Sequence, residues 1–421
     1  MSTDTIAQQI DQLYRQHAGA LMTSLVSYFN LSNLSLAEDI VQNTFVAALE
    51  NWSTQGIPEQ PKAWLFRVCK NKALNHLKRQ QHFRDQVLPN TQTATAPEIS
   101  GRVFAKLDNA FLDYEIKDNQ LRLLFAISHP DFAPKSSIIL TLKTLAGFRL
   151  QEIASGLGMQ TEAVKKNLQR TRQQIRKNNM PLRVPFLLQS KKRLQRVHQV
   201  LYLMFNESYH SNTGTAVIRH ELCVQALRLT RALLDEPRIA TADTRALFAL
   251  MLFNVARFHA RLNEQNQLVE LAQQNRQLWD AALIDEAIRH FNRSRKSDHW
   301  SRYHYEAGIA SLHCTATTFD TTNWKAIVQL YDQLYQLQPN PFVQLNRCIA
   351  LHYAGQTRQA LQTLQKLKAL GTNALYWTTL GELHAQLAEK EKAIDHFLTA
   401  LQFATTDVAK AGIKRKIDRI Q

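Results

Sequence analysis

Glycine and proline are scarce in this chain, at 12 and 11 of 421 residues. The sequence also lacks a clear alternation of apolar and polar residues, which is the pattern of a half-buried strand. Apolar residues recur at helical spacing instead, and hydrophobic residues make up 45% of the chain. We therefore predict an all-α protein of several domains with substantial cores.

Cysteine is scarce too, and the four cysteines form no CxxC pair. They are Cys69, Cys223, Cys314 and Cys348. Such scattering disfavours a disulfide framework and a structural zinc site. Three histidines, His299, His304 and His313, lie near one of these cysteines, but their spacing matches no familiar metal pattern. We interpret them as ordinary core or surface residues and expect neither a metal nor a cofactor.

Membrane and catalytic signals are also missing. No apolar run approaches the roughly 18 residues of a membrane span, and the start, MSTDTIAQQIDQ, is too polar for a signal peptide. We therefore expect a cytoplasmic protein with no membrane partner. A Gly-rich phosphate loop, a nucleophile elbow, HExxH and a paired-carboxylate motif are all absent, so an enzyme is the least favoured class. Helical enzymes without local motifs keep that alternative open.

Carboxylates are absent between Lys62 and Arg84, where seven cations occur. Residues 1–61 have the opposite balance, with one cation and six carboxylates, and a second basic cluster lies at 165–183. The net charge of the chain is +16. Two separated basic segments behind an acidic one suggest two contacts with one nucleic acid and a different partner for the N-terminal segment. A solvated basic face on a core helix is the alternative.

Two amphipathic helices are predicted in the first part of the chain. Ser35 and Glu38 have the spacing of a capping box at the start of the first helix. Its apolar stripe is Val41, Phe45, Leu49 and Trp52. The second helix, PKAWLFRVCKNKALNHLKRQ, begins at Pro61, which suits a first helical position. Its aromatics, amides and cations suit a polyanion whose bases are also recognised.

The segments AEDIVQNTFVAAL and WLFRVCKNKALN resemble region 2 of the extracytoplasmic-function (ECF) sigma factors of bacterial RNA polymerase. In that family the first helix docks on the coiled coil of the polymerase β′ clamp, and the second recognises and melts the −10 promoter element. The resemblance implies polymerase contacts by Asp39, Gln42 and Phe45. It implies DNA contacts along the second helix by Trp64, Arg67, Lys70, Asn71, Lys72, Asn75, Lys78 and Arg79. Asn71 matches the pocket for a flipped base, whereas core packing is the alternative role for Trp64.

A second basic unit contains a short helix, a tight turn and a basic helix. The apolar face of the short helix is Leu150, Ile153, Ala154 and Leu157. Gly158 suits the turn, and Thr161 is predicted to cap a helix over 162–177. The inward positions of that helix are Val164, Leu168, Thr171 and Ile175. This arrangement is typical of a helix-turn-helix, whose second helix enters the major groove, and a chance pair of helices is the alternative.

This unit resembles region 4 of the same sigma factors, which contacts the −35 element and the polymerase β flap. The resemblance implies DNA contacts by Lys165, Lys166, Gln169, Arg170 and Arg172. Members of the family often have Arg and Ser near the start of this helix, whereas this chain has two lysines. Lysine is a less geometrically demanding donor than arginine, so the base preference stays open.

The rest of the chain resembles the large helical extension of one ECF subgroup, on the segment VLYLMFNESYHSNTG. Asn206, Glu207 and Tyr209 of this segment are candidate functional residues, with core packing as the alternative. A 33-residue spacing then relates Ile327, Ala360 and Ala393. The last copy is close to the tetratricopeptide pattern, which forms a concave surface for a peptide or protein partner. A scaffold that only completes a core is the alternative.

These resemblances divide the chain into five segments. They are region 2 at 1–85, a linker at 86–118, region 4 at 119–180, a helical extension at 187–300, and tetratricopeptide-like repeats with a capping helix at 301–421. The implied function is that of an ECF sigma factor, which binds core polymerase and promoter DNA and catalyses no reaction. The C-terminal extension would restrain or enable it. The alternative is a helix-turn-helix regulator with a tetratricopeptide sensor.

Overall fold

The computed structural model describes residues 3–29, 33–87, 113–178, 191–210, 216–261, 263, 269–404 and 407–420. Within these ranges every regular element is a helix, which confirms the predicted all-α fold. Most of the predicted linker at 86–118 and the chain between the predicted region 4 and the extension lie outside the described residues. None of the described helices combines the length and apolar character that crossing a membrane requires. The chain forms two compact units, residues 1–232 and 233–421.

The first unit begins with three long helices: α1 (Thr3–Phe29), α2 (Leu34–Gln55) and α3 (Pro61–Val87). Their shared core includes the fully buried side chains of Leu21, Leu25, Trp52 and Leu65. Pro61 occupies the first position of α3, as predicted. Proline suits the first position because it lacks the amide hydrogen that a later helical position would need for its hydrogen bond.

The predicted capping box of α2 is wrong. The helix begins at Leu34, its N-cap is Asn33, and no side chain caps it. Ser35 accepts a hydrogen bond from Arg176 instead, at 3.1 Å, and Glu38 binds Arg172. Both side chains that would have formed the box are thus engaged by a distant helix.

The predicted region 4 contains α5 (Pro134–Thr144), α6 (Leu150–Gly156), α7 (Thr161–Lys177) and most of α4 (Asp113–Ile127), which begins inside the predicted linker. The turn before α7 contains Gly158, whose φ of 60° favours glycine. Thr161 is the first residue of α7 and not its cap, because the N-cap is Gln160. The four inward positions predicted for α7 are all buried: Val164, Leu168, Thr171 and Ile175.

Two further helices, α8 (Lys191–His210) and α9 (Ala216–Leu234), pack with the helices of the predicted regions 2 and 4. Arg196 of α8 donates a hydrogen bond to the Phe132 carbonyl oxygen, just before α5. Val197, Val200 and Leu201 of α8 are fully buried. The start of the predicted extension is therefore part of the first unit.

The second unit is a succession of helices with four short 3₁₀ turns, at 258–260, 271–273, 276–278 and 368–370. The helices are α10 (Ala242–Val255), α11 (Ala281–Ser294), α12 (Arg302–Thr315), α13 (Trp324–Leu337), α14 (Pro341–Tyr353), α15 (Thr357–Leu364), α16 (Ala374–Gln386), α17 (Lys390–Phe403) and α18 (Asp407–Asp418). The residues spaced by 33, Ile327, Ala360 and Ala393, lie in α13, α15 and α17, and each is fully buried. Equivalent positions therefore have equivalent burial.

Helices α16 and α17 approach closely where Gly381 of α16 faces the ring of Phe397 of α17. A Cβ atom at Gly381 would lie 2.6 Å from the nearest ring carbon. Lys416 of α18 forms ion pairs with Glu382 of α16 and, at 3.1 Å, with Glu270 near the start of the unit. The last helix thus contacts both the repeated helices and the segment that precedes them.

Candidate nucleic-acid and polymerase interface

The residues predicted to contact the −10 element divide along α3 by burial. The helix packs on its neighbours through Leu65, Cys69 and Ala73, which are fully buried. Asn71 and Asn75 are exposed on another side. Buried and exposed positions therefore alternate at helical spacing, and the amides face outwards.

A hollow of about 560 Å³ lies between α2 and α3, and we call it the α2–α3 hollow. Its α3 wall contains four of the predicted DNA-contacting residues: Trp64, Asn71, Lys72 and Asn75. Trp64 is half-buried and its ring lies 5.2 Å from that of Trp52. The hollow therefore offers a stacking surface together with hydrogen-bond donors and acceptors. These come from one aromatic face, two amides and an ammonium group.

The remaining four residues of this predicted set, Arg67, Lys70, Lys78 and Arg79, lie on α3 but do not line the hollow. Arg67, Lys78 and Arg79 are exposed, and Lys70 is half-buried. Cations beside a hollow suit contacts with phosphates, which position a nucleic acid without specifying its sequence. The structure thus separates the predicted set into four hollow residues and four flanking cations.

The α2 wall of the hollow contains Glu50, Asn51 and Thr54, none of which was predicted as a site residue. These residues bring a carboxylate, an amide and a hydroxyl opposite Asn71. Their spacing of three and four residues places them on one helical face, and this signal was present in the sequence. The predicted apolar stripe lies on the opposite face of α2.

The residues predicted to contact polymerase do not share one environment on α2. Asp39 and Gln42 are exposed, whereas Phe45 is buried, with its ring 4.9 Å from that of Tyr14. Leu49, predicted to belong to the buried stripe, is 41% exposed instead, and Val46 is 51% exposed. Val46 lies one helical turn from Gln42, so the exposed side of α2 carries apolar as well as polar side chains.

The buried carboxylate of α2 belongs to Glu38, which forms an ion pair with Arg172 of α7. Burial raises the pKa of Glu38, and Arg172 and Lys143 lower it by less. Burial likewise lowers the pKa of Lys143, which the nearby Glu38 raises in part. Both shifts reflect the removal of these charges from water.

The predicted −35 residues also separate into two groups on α7. Lys165, Lys166, Gln169 and Arg170 are exposed, and the Lys165 ammonium lies 3.9 Å from Glu162. Arg172 is different, because its side chain is only 24% exposed and binds Glu38. The N-terminal half of α7 is therefore open to a partner, whereas Arg172 is occupied.

The other candidates have separate surroundings. The Tyr209 ring stacks on Phe205 within α8, and burial raises the pKa of Glu207. In the second unit, Nδ1 of His304 lies 3.0 Å from the Ser301 hydroxyl, whereas His313 packs against Trp324. Each of these side chains thus lies against neighbours in its own unit.

Two parts of the chain match known families. Residues 13–83 match Sigma-70 region 2, and residues 193–295 match a family of unknown function (DUF6596). The first match covers the α2–α3 hollow and the exposed face of α2. The second is not a tetratricopeptide family, and the repeats at 301–421 stay a prediction.

Comparison with whole proteins gives a similarity over nearly the full chain. An uncharacterized protein of Rhizobium meliloti is 30% identical over 403 residues, which cover 95% of this chain and 93% of that protein. The ECF RNA polymerase sigma factor SigE of Mycolicibacterium smegmatis is 27% identical over 166 residues, 39% of this chain and 60% of the sigma factor. The ECF RNA polymerase sigma factor SigG of Mycobacterium tuberculosis is 24% identical over 162 residues, 35% of this chain and 43% of the sigma factor.

Proposed function

This chain belongs to one family with the Rhizobium meliloti protein and carries a sigma-70 region 2, and from this premise we propose that it is a sigma factor of the ECF type. It binds core RNA polymerase through α2, opens the −10 element with α3 and contacts the −35 element with α7. The C-terminal extension regulates these activities. The protein acts by binding and catalyses no bond formation.

The α2–α3 hollow is the observation that carries this proposal. A base that leaves the stack loses its stacking and pairing, and a protein that stabilises it must replace both kinds of contact. Trp64 supplies a stacking face, while Asn71 and Asn75 supply amide hydrogen bonds. Arg67 and Arg79 are exposed on the same helix for the flanking phosphates. The absence of carboxylates from 62–84 keeps the potential along α3 positive.

The exposed side chains of α2 support a protein partner on this helix, and they include apolar as well as charged residues. Asp39 and Gln42 present polar groups beside the exposed side chains of Val46 and Leu49. An interface with an apolar centre and a polar rim has this composition. Phe45 supports that surface from beneath through its contact with Tyr14.

Co-elution with sigma-free bacterial core polymerase tests the proposal. The full chain is expected to co-elute, and an Asp39→Arg, Gln42→Ala variant is expected to lose binding because both side chains are exposed. Phe45 stays unchanged, since truncating a buried ring would also lower stability. Glu391→Arg, an exposed charge reversal on α17, is the matched control and is expected to bind like the unchanged protein.

Loss of binding in the α2 variant alone supports the sigma-factor assignment. Equal binding by both variants would remove α2 as the polymerase contact. Binding of the protein to duplex DNA without any binding to polymerase would favour an operator-binding regulator, which uses α6 and α7 but leaves the hollow unexplained.

A further inference from the structure

The first unit holds α1, a helix of region 2, directly against the turn between α5 and α6 of the predicted region 4. A Cβ atom at Gly19 of α1 would lie 2.0 Å from the Leu145 carbonyl oxygen, far inside any permitted contact. From the other side, Gly147 has a φ of 71°, and a Cβ there would lie 3.1 Å from Cβ of Ala18. Two glycines therefore allow the two backbones to touch.

Charged side chains join the same two parts of the chain. Arg172 of α7 binds Glu38 of α2, and Arg149 before α6 binds Asp11 of α1. Arg15 of α1 forms a further pair, at 3.1 Å, with a carboxylate oxygen of Glu152 in α6. Each pair places an arginine of one part beside a carboxylate of the other.

Between these contacts lies a cavity of about 1070 Å³, which we call the interregion cavity. Gln42 and Phe45, predicted to contact polymerase, line one side of it. Lys165, Gln169 and Arg172, predicted to contact the −35 element, line the other. The two predicted binding surfaces thus face each other.

Helix α7 stands opposite the face of α2 that is proposed to bind polymerase. Gln42, Phe45, Val46 and Leu49 of α2 line the interregion cavity on one side, and α7 lines it on the other. A coiled coil of two helices, each about 10 Å in diameter, would approach this same face of α2. The polymerase coiled coil and α7 are therefore expected to compete for it.

The predicted extension adds one more connection. Glu221 of α9 binds Arg15, the residue that also binds Glu152 of α6. Arg15 therefore links α1, the predicted region 4 and a helix that follows it. The extension is in a position to stabilise the contact between the two regions.

We propose that this arrangement is an autoinhibited state, in which the Gly19–Leu145 contact and the Glu38–Arg172 pair hold region 4 over the polymerase-binding face of region 2. The inference rests on the proposed function. Polymerase binds α2 only after these contacts open, and opening moves α7 away from the α2 face. Opening must also loosen the packing of α1 against α4.

A Gly19→Ala variant of the full chain tests this inference. The added Cβ cannot coexist with the Leu145 carbonyl, so α1 and the turn at 145–147 must separate. Alanine is the better helix former, so α1 itself is not weakened. We expect this variant to bind core polymerase about tenfold more tightly, with association faster than in the unchanged chain. Gly412→Ala is the matched control, because a Cβ there meets nothing within 4 Å, and it is expected to bind unchanged.

A spin-label distance measurement gives a readout that needs no polymerase. The four native cysteines are buried, so labels can be attached at Asn43→Cys on α2 and Ala163→Cys on α7, both exposed positions. We expect one narrow distance distribution in the otherwise unchanged chain. Adding Gly19→Ala should lengthen and broaden it. Glu38→Arg should do the same, and adding Arg172→Glu to Glu38→Arg should restore the narrow distribution.

The outcomes separate this inference from the proposed function. An unchanged distance distribution in Gly19→Ala overturns the inference, as does polymerase binding by Gly19→Ala no tighter than by the unchanged chain. In either case, binding by the unchanged chain leaves the sigma-factor assignment in place. A longer distance in Gly19→Ala without polymerase binding by any variant overturns the proposed function, and with it the inhibitory role of the contact.

Discussion

Gly381 of α16 gives a prediction whose size follows from the distances around it. An added Cβ would lie 2.6, 2.7 and 2.9 Å from three ring carbons of Phe397, whereas ordinary van der Waals contacts lie at 3.4–4 Å. The ring is 1% exposed and has no solvent to move into. Gly381→Ala therefore requires α16 and α17 to move apart by about 0.5–1 Å, and overpacking of this kind costs about 1–3 kcal/mol.

A second glycine-to-alanine change isolates that cost. Replacing glycine inside a helix stabilises by about 1 kcal/mol through helix propensity alone. Gly412 lies inside α18 with nothing within 4 Å of an added Cβ. Subtracting the effect of Gly412→Ala from that of Gly381→Ala therefore cancels the propensity gain. We expect Gly412→Ala to raise the free energy of unfolding and Gly381→Ala to fall about 1–3 kcal/mol below it.

Thermal or urea unfolding of the full chain, followed by circular dichroism, measures this difference. For a unit of this size, it corresponds to a separation of the two melting temperatures on the order of 5 °C. Adding Phe397→Leu to Gly381→Ala should recover part of the loss, because the shorter side chain vacates the space of the clash. Equal stabilisation by both glycine variants would show that α16 and α17 are not in close contact at Gly381.

Four further predictions concern single residues. Asn71→Ala should reduce promoter opening about 5- to 150-fold, which is the effect of losing one base contact. Arg79→Ala should instead lower the salt dependence of DNA binding by about one ion. The amount of heparin-resistant complex at several salt concentrations measures both effects. Burial, followed by Arg257 and Arg276, lowers the pKa of His313 to about 3. The native state therefore binds fewer protons at His313 than the unfolded state does. The free energy of unfolding is thus expected to decrease as the pH falls below 6.5, by about 1.4 kcal/mol at pH 5.5. Urea unfolding of His313→Phe should not show this decrease. Ala388 has a φ of 61°, and among the described residues it is the non-glycine residue with a positive φ. Replacing it by glycine should raise the free energy of unfolding by about 1 kcal/mol. A lower melting temperature for Ala388→Gly would contradict this.

Burial along a helix could be predicted from the sequence because helical periodicity reports it directly. Val164, Leu168 and Ile175 of α7 are buried where the pattern places them. The start of α3 at Pro61 was predictable for an equally local reason, the missing amide hydrogen of proline. Each of these features depends on residues within one or two turns.

Features that depend on distant residues could not be predicted in the same way. Arg172 lies at an outward position of α7, and only the fold shows that Glu38 lies beside it, 134 positions earlier in the chain. The same contact removes Glu38 from the predicted capping box. Leu49 has the spacing of a buried residue but is 41% exposed, because it lines the interregion cavity and is not packed against another helix face. The α2–α3 hollow likewise needs both helices, and only Asn71 and its α3 neighbours were identified beforehand.

The ion pairs of Lys416 change how the second unit is expected to unfold. An open array of helical repeats contacts only its neighbours, so its terminal helix can fray while the rest stays folded. Here the terminal helix is joined to Glu270, 146 positions earlier, as well as to Glu382. Detaching α18 therefore also breaks the ion pair with Glu270, next to the 3₁₀ turn at 271–273, and amide protons of α18 and of this turn should exchange together. Local opening of the last helix thus reaches a segment that lies far from it in the sequence.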